Sequence, residues 1–205
     1  MDEEVLGALA EARALGFLGP GPLEAHRASA AAFALALGDV AGPALDLGSG
    51  GGVPGLLLAA WFPDVEWLLL DRNRRRSSFL ARAVADFGWV GRVEVLRAAA
   101  EEAARRPGLR GTFRTVTARS FGPPSMTAEC AAGFLAPGGR LAVSEPPERV
   151  EGRWSEVGLL RLGLRAVVVT GQVALFEALG EVPADVPRSW RAMERRPVWG
   201  SRSGG

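Results

Sequence analysis

Beyond Pro43 the chain alternates short apolar runs with longer amphipathic stretches. Runs near 43–47, 66–71, 92–97, 114–119, 139–144, 164–170 and 172–178 are bounded by Gly, Pro or charged residues, which predicts strands. Amphipathic stretches near 54–62, 73–87, 100–105, 124–135 and 154–161 predict helices between them. Ahead of Pro43, residues 3–15 and 22–38 are rich in Ala and Leu and predict two more helices, broken by "GFLGPGP" (16–22). Strands alternating with helices predict an α/β chain with a doubly wound, mostly parallel sheet. The last two runs, "LRAVVVT" and "QVALFEAL", leave no room for a crossover helix. They predict an antiparallel pair, because parallel neighbours need about a dozen or more linking residues. The pattern fits one domain over 1–205: a helical cap at 1–38, an α/β core at 43–179 and a basic C-terminal segment at 180–205. The final "GSRSGG" is expected to be disordered.

The segment "ALDLGSGGGVPGLLLAAW" (44–61) puts Gly48, Gly50, Gly51 and Gly52 between a predicted strand and a predicted helix. A glycine-rich loop of this kind lets a nucleotide approach the backbone. Two readings compete. Gly50, Gly52 and Gly55 satisfy the dinucleotide pattern G-x-G-x-x-G. Asp46, Gly48, Gly50 and Gly52 satisfy D-x-G-x-G-x-G, which resembles motif I of S-adenosylmethionine (SAM) methyltransferases. Gly48 directly follows the strand, whereas the dinucleotide pattern would begin late, so position favours SAM. The backbone from Gly48 through Ser49 and Gly50 to Gly52 would then face the ligand's amino-acid moiety and ribose. Asp46 would order the loop or meet the ligand's ammonium group.

Asp71 closes "VEWLLLD" about 20 residues downstream, where a carboxylate accepts hydrogen bonds from ribose hydroxyls. Arg72 follows it into "RNRRR" and is expected beside the cofactor with it. A 2′-phosphate pocket there is opposed by Asp71, whose charge would repel the phosphate. A tight turn before a solvated helix would account for the glycines alone, but not for Asp46 and Asp71 together.

Composition narrows the chemistry further. All 24 basic residues are arginine, tyrosine is absent, and there is one histidine and one cysteine, so neither lysine nor tyrosine serves as a base. A protein-built zinc site is not expected, and no metal is assigned. A lone Cys130 forms no internal disulfide and points to the cytoplasm. The acidic start "MDEEVLGALAEARAL" does not read as a secretory signal. No apolar run approaches the ~20 residues of a membrane span. The net charge of +1 gives little long-range attraction for nucleic acid, so an RNA partner would have to be met by local arginine clusters.

"LDLGSGGGVPGLLLA", "LLLDRNRRRSSFL", "VTARSFGPPSMTAECAAGFLAPGGRLAV" and "PRSWRAMERRPVW" together resemble the bacterial guanine-N7 methyltransferases of small-subunit ribosomal RNA, the glucose-inhibited division protein B family. The likeness is fullest over about 43–144, with weaker echoes at 16–37 and 187–199. It implies a class I SAM-dependent methyltransferase fold (Rossmann-like), with residues 43–179 as the SAM-binding core. By the same likeness SAM lies against Gly48 and Val53, Ala100 and Glu101 border adenine, and Arg119 is the catalytic, cofactor-side arginine at the end of the fourth strand, expected to face the same crevice as Gly48 and Asp71. His26 matches a family histidine on the substrate side, while its place in an amphipathic helix also fits a structural histidine. Arg75, Arg76, Arg188, Arg195 and Arg196 match basic positions that would meet RNA phosphates, the alternative being solvated helix residues. Trp190 and Trp199 would stack on RNA bases or pack at the sheet edge.

The chain departs from the family pattern at Ala99 (an arginine there), Arg114 (an acidic residue) and Ser144-Glu145 (Lys-Gly). The implied activity is methyl transfer from SAM to a guanine of small-subunit rRNA. The alternatives are a small-molecule SAM methyltransferase and a non-catalytic SAM- or RNA-binding paralogue, with a NAD-dependent oxidoreductase last.

Overall fold

In the computed structural model the described residues are 2–148, 150–170 and 172–200. Two helices come first, α1 (Asp2–Ala14) and α2 (Leu23–Leu37). The sheet strands follow: β1 (Ala44–Leu47), β2 (Trp67–Leu70), β3 (Val93–Leu96), β4 (Phe113–Ala118), β5 (Leu135–Ser144), β6 (Leu164–Thr170) and β7 (Val173–Ala178). The helices among them are α3 (Gly55–Trp61), α4 (Arg74–Asp86), α5 (Ala100–Ala103), α6 (Pro124–Ala132) and α7 (Glu156–Arg161), with α8 (Trp190–Arg195) after the sheet.

The strands form one seven-stranded sheet in the order β3-β2-β1-β4-β5-β7-β6. β1 through β5 pair in parallel, and β7 runs antiparallel to both β5 and β6. This is the class I SAM-dependent methyltransferase arrangement expected from the sequence. β1 and β2 are buried at every position, as central parallel strands covered on both faces must be. One core lies between the sheet and α5–α8, and takes Leu45, Leu47, Val116, Ala118, Phe134 and Phe176. The other lies under α1–α4, and takes Ala44, Leu56, Leu57, Trp67, Phe79 and Phe33.

α2 presents His26, Ala30, Phe33 and Leu37 as its buried residues, a spacing of four, three and four that forms one helical stripe. Burying Phe33 completely contributes roughly 1.5–3 kcal/mol to holding that helix on the sheet.

Two local expectations fail. The helix predicted over 124–135 stops at Ala132, and β5 starts at Leu135. "APGG" reads as a turn, yet the β4–β5 ladder resumes through an irregularity between Phe113 and Thr115, with Gly138 at φ 73°. α8 was not anticipated, because "WRAMER" has too few residues for a periodic pattern. The disorder expected of "GSRSGG" falls, from residue 201 on, outside the described residues. Among the described residues no helix is long and apolar enough to cross a membrane.

Candidate cofactor crevice and acceptor side

β1 is flanked by β2 on one side and β4 on the other, so the chain order reverses there. In open α/β sheets, ligands bind beyond the carboxyl ends of the strands at such a point. The glycine loop occupies it. Gly48 N and Ser49 N both donate to Leu70 O (2.8 and 2.9 Å), and the Ser49 hydroxyl donates to Asp46 O (2.9 Å). Gly48 has φ 73°, and a Cβ on it would lie 2.6 Å from Phe121 Cδ2. The side chain excluded at Gly48 is therefore excluded by the protein's own phenyl ring. Leu18, from the loop between α1 and α2, crowds Gly51 in the same way and ties that loop to the glycine segment.

Asp46 is buried with both oxygens engaged: Thr117 Oγ1 donates to Oδ1 (2.7 Å) and Gly55 N donates to Oδ2 (3.2 Å). Burial pushes its pKa up to about 6, against the pull of these donors and of Arg119. Of the two roles considered for Asp46, this geometry supports ordering the loop. A Cβ at position 55 would sit 2.5 Å from Asp46 Oδ2, so the start of α3 must be glycine for the carboxylate to fit.

Asp71 is also buried, and links two elements. Its Oδ2 accepts from Gly50 N (2.9 Å) in the glycine loop, and its Oδ1 accepts from Asn73 N (2.7 Å). The Asn73 side chain caps α4 by accepting from Arg75 N and Arg76 N. Arg76 Nη1 stands 3.9 Å from Asp71 Oδ2. Each carboxylate oxygen keeps a further lone pair for a ligand hydroxyl.

A crevice of ≈ 230 Å³ opens over these groups, lined by Gly48, Asp71, Arg72, Arg76, Ala98, Ala100 and Glu101, and walled by Ser120, Phe121 and Trp190. Gly48, Asp71, Arg72, Ala100 and Glu101 were expected here. Trp190 was not; its ring meets Phe121 edge-on at 5.9 Å. The volume falls below the roughly 300–1,000 Å³ usual for small-molecule sites. Phe121 and Trp190 narrow it. A larger cleft of ≈ 1000 Å³ lies beside α7 and β6 and includes neither a glycine-loop residue nor Asp71.

Arg119 does not line the crevice, contrary to expectation. Along β4, Val116 and Ala118 face the core under α5–α8, so Thr117 and Arg119 point to the opposite face. Ser120 then takes φ 53° and turns Phe121 into the crevice. The Arg119 guanidinium meets α2 instead, with Nη2 3.1 Å from His26 Nδ1. Burial pulls the Arg119 pKa down, opposed by the charge of Asp46. His26 Nε2 lies 3.3 Å from Gly19 O. Val53 is buried in the core under α1–α4 and does not line the crevice either.

Arg188 is spent on the fold rather than left for phosphates. Its Nε and Nη2 donate to the two oxygens of buried Glu129 (2.7 and 2.6 Å), and its Nη1 donates to Arg196 O (2.8 Å). Arg75, Arg195 and Arg196 are exposed; the Arg75 guanidinium lies 5.6 Å over the Phe17 ring. Of the positions departing from the family, Glu145 accepts from Arg153 Nε and Trp154 Nε1 (3.0 and 2.9 Å). Ala99 precedes α5 beside the crevice, whereas Arg114 lies exposed near the start of β4, away from the ligand edge.

The family model described as rRNA small subunit methyltransferase G matches residues 28–145. A Ribosomal RNA small subunit methyltransferase G from Prochlorococcus marinus is 30% identical over 145 residues, covering 71% of this chain and 51% of that protein. One from Salinispora tropica is 40% identical over 111 residues, covering 52% of this chain and 45% of that protein. The chain thus spans about half the length of these curated relatives. Among solved structures, the antibiotic-resistance methyltransferase Kmr superposes with a TM-score of 0.51 at 16% identity, covering 74% of this chain and 93% of that one. That likeness concerns the fold alone. The family match takes in the glycine loop, Asp71 and the end of β4 together, and the chain belongs to the rRNA small subunit methyltransferase G (GidB) family.

Proposed function

We propose that this chain transfers a methyl group from SAM to guanine N7 in small-subunit ribosomal RNA. The observation that carries the reading is the Asp71 carboxylate, which joins the glycine loop to α4 at the switch point of the sheet and faces the crevice. The residues present fit SAM. Asp71 offers lone pairs to a ribose diol, and Ala98, Ala100 and Glu101 line the part of the crevice that adenine would border. A bound SAM supplies an electrophilic methyl group on a sulfonium.

Guanine N7 carries a free lone pair, so no base is needed before attack. The chain's contribution is alignment and electrostatics, worth several kcal/mol when donor and acceptor are held in line. The hydrogen bonds of Asp46 and Asp71 fix the loop, and Phe121 and Trp190 form one wall of the crevice. Arg119 is a pure donor and so orients an acceptor rather than moving a proton. It stands on the opposite side of β4 from the crevice wall, against His26 of α2.

The test is incubation with tritiated SAM and fractionated cell extract. Label in small-subunit rRNA supports the reading. Label in small molecules alone would replace it with a small-molecule methyltransferase, and no label with retained SAM binding would mark a non-catalytic paralogue.

A further inference from the structure

His26 begins the inward stripe of α2, is buried, and has a partner at each ring nitrogen. Gly19 O only accepts, so Nε2 carries the proton toward it. Arg119 only donates, so Nδ1 receives. Both contacts are satisfied by one neutral tautomer, Nε2–H. A protonated imidazole would put an N–H against the guanidinium and lose the Arg119 contact.

We propose that neutral His26 is the positioning residue for Arg119, holding its guanidinium on the acceptor side of the glycine loop and releasing it on protonation. Methyl transfer therefore fails in acid while cofactor binding persists, because Asp71 and the crevice lie on the other face of β4. This rests on the reading of the chain as an rRNA methyltransferase. The charged groups around the imidazole reinforce the device. Arg119 from β4 and Arg13 from α1 both oppose a second positive charge, and burial does so more strongly, while Asp46 attracts Arg119 from β1. Burial, Arg119 and Arg13 outweigh the Gly19 O contact, which favours the protonated ring, and hold the His26 pKa below the ordinary 6.5, so the neutral form prevails at neutral pH. The Arg13 guanidinium donates to Gly21 O (3.0 Å) and steadies the loop that carries Gly19.

A single histidine in the chain makes its ¹⁵N-imidazole signals unambiguous. The experiment pairs that titration with methyl transfer to small-subunit rRNA as a function of pH, for the wild type, His26→Leu, His26→Asn and Arg119→Gln. The expected spectrum is the Nε2–H tautomer, with a pKa below 6.5 that rises in Arg119→Gln. The acid limb of kcat should share the wild-type pKa. His26→Leu should lower kcat by at least about tenfold, the cost of one lost hydrogen bond to a charged group, with SAM affinity preserved. His26→Asn restores an acceptor near the Nδ1 position, so it should recover most of that loss and lose the His26 step of the acid limb, leaving only the Asp46 carboxyl to titrate there. An Nδ1–H tautomer, or a pKa unmoved by Arg119→Gln, overturns the pairing. Full kcat with an unchanged acid limb in folded His26→Leu overturns the positioning role. A wild type that transfers no methyl at any pH defeats the rRNA reading instead, while the tautomer and titration still decide the pairing.

Discussion

Replacing Asp71 with asparagine removes the charge with little change of volume. In the native chain Oδ2 receives Gly50 N at 2.9 Å and Oδ1 receives Asn73 N at 2.7 Å. Asparagine keeps one acceptor oxygen, so its amide N–H₂ must confront one of these two fixed donors. The ribose side loses a charged acceptor at the same time. Hydrogen bonds to charged groups contribute about 1.5–3 kcal/mol each, so SAM affinity should fall by about 10- to 150-fold. Calorimetric titration with SAM and S-adenosylhomocysteine reads this directly, after urea unfolding has shown that the variant is folded at the working temperature. For a 2′,3′-dideoxyribose analogue of S-adenosylhomocysteine the penalty should largely vanish, because the hydroxyls that used the carboxylate are gone. Arg76→Ala is the comparison: at 3.9 Å and 41% side-chain exposure its pair with Asp71 is worth about 1 kcal/mol or less. A folded Asp71→Asn protein that binds SAM as tightly as the wild type would refute the ribose role.

Three further outcomes follow from the hydrogen-bond geometry and burial. Arg188→Ala leaves Glu129 buried without its partner and should cost about 3–5 kcal/mol in urea unfolding; an unchanged midpoint would return Arg188 to the pool of phosphate contacts. The folded-state pKa of Asp46 lies above its unfolded 3.8, so the folded chain binds that proton more tightly and stability declines as pH climbs from 3.8 to about 6. Asp46→Asn places its oxygen toward Gly55 N and its amide toward the Thr117 hydroxyl, which turns to accept. It should lose that decline and gain up to about 3 kcal/mol above pH 6; a wild-type pH slope in the variant would show that Asp46 does not titrate as described. Trp190 walls the crevice, so SAM should change the intrinsic fluorescence, and Trp190→Phe should remove most of that change. A full fluorescence response in the variant would place the moving tryptophan elsewhere.

The sheet was legible because its strands are short apolar runs separated by helical stretches, and the adjacency of the last two runs determined their antiparallel pairing. Asp46, Gly48 and Asp71 were legible because they lie at strand ends, where topology alone brings them together. Arg119 was legible as a strand-end residue but not in its direction. The period of two puts it on the face of Thr117, yet nothing in the sequence says that α2 and α3 cover that face while Phe121 turns to the other. His26 was readable as inward-facing from its spacing with Ala30, Phe33 and Leu37. Its partner, Arg119, lies 93 residues away and came only with the structure. Arg188 and Trp190 were read from local composition, whereas their roles depend on Glu129 and Phe121, distant contacts that a basic, aromatic segment does not announce.

Chemical cleavage reads directly where the methyl group goes. Unmethylated small-subunit rRNA, free and within the subunit, is incubated with this chain and tritiated SAM, then treated with borohydride and aniline, which cleave RNA at N7-methylguanine. Label should appear in the small-subunit rRNA with a single enzyme-dependent cleavage at one guanine, lost in Asp71→Asn at SAM concentrations that saturate only the wild type. Label in the RNA without cleavage at any guanine, or label confined to small molecules, would contradict transfer to guanine N7 of the rRNA.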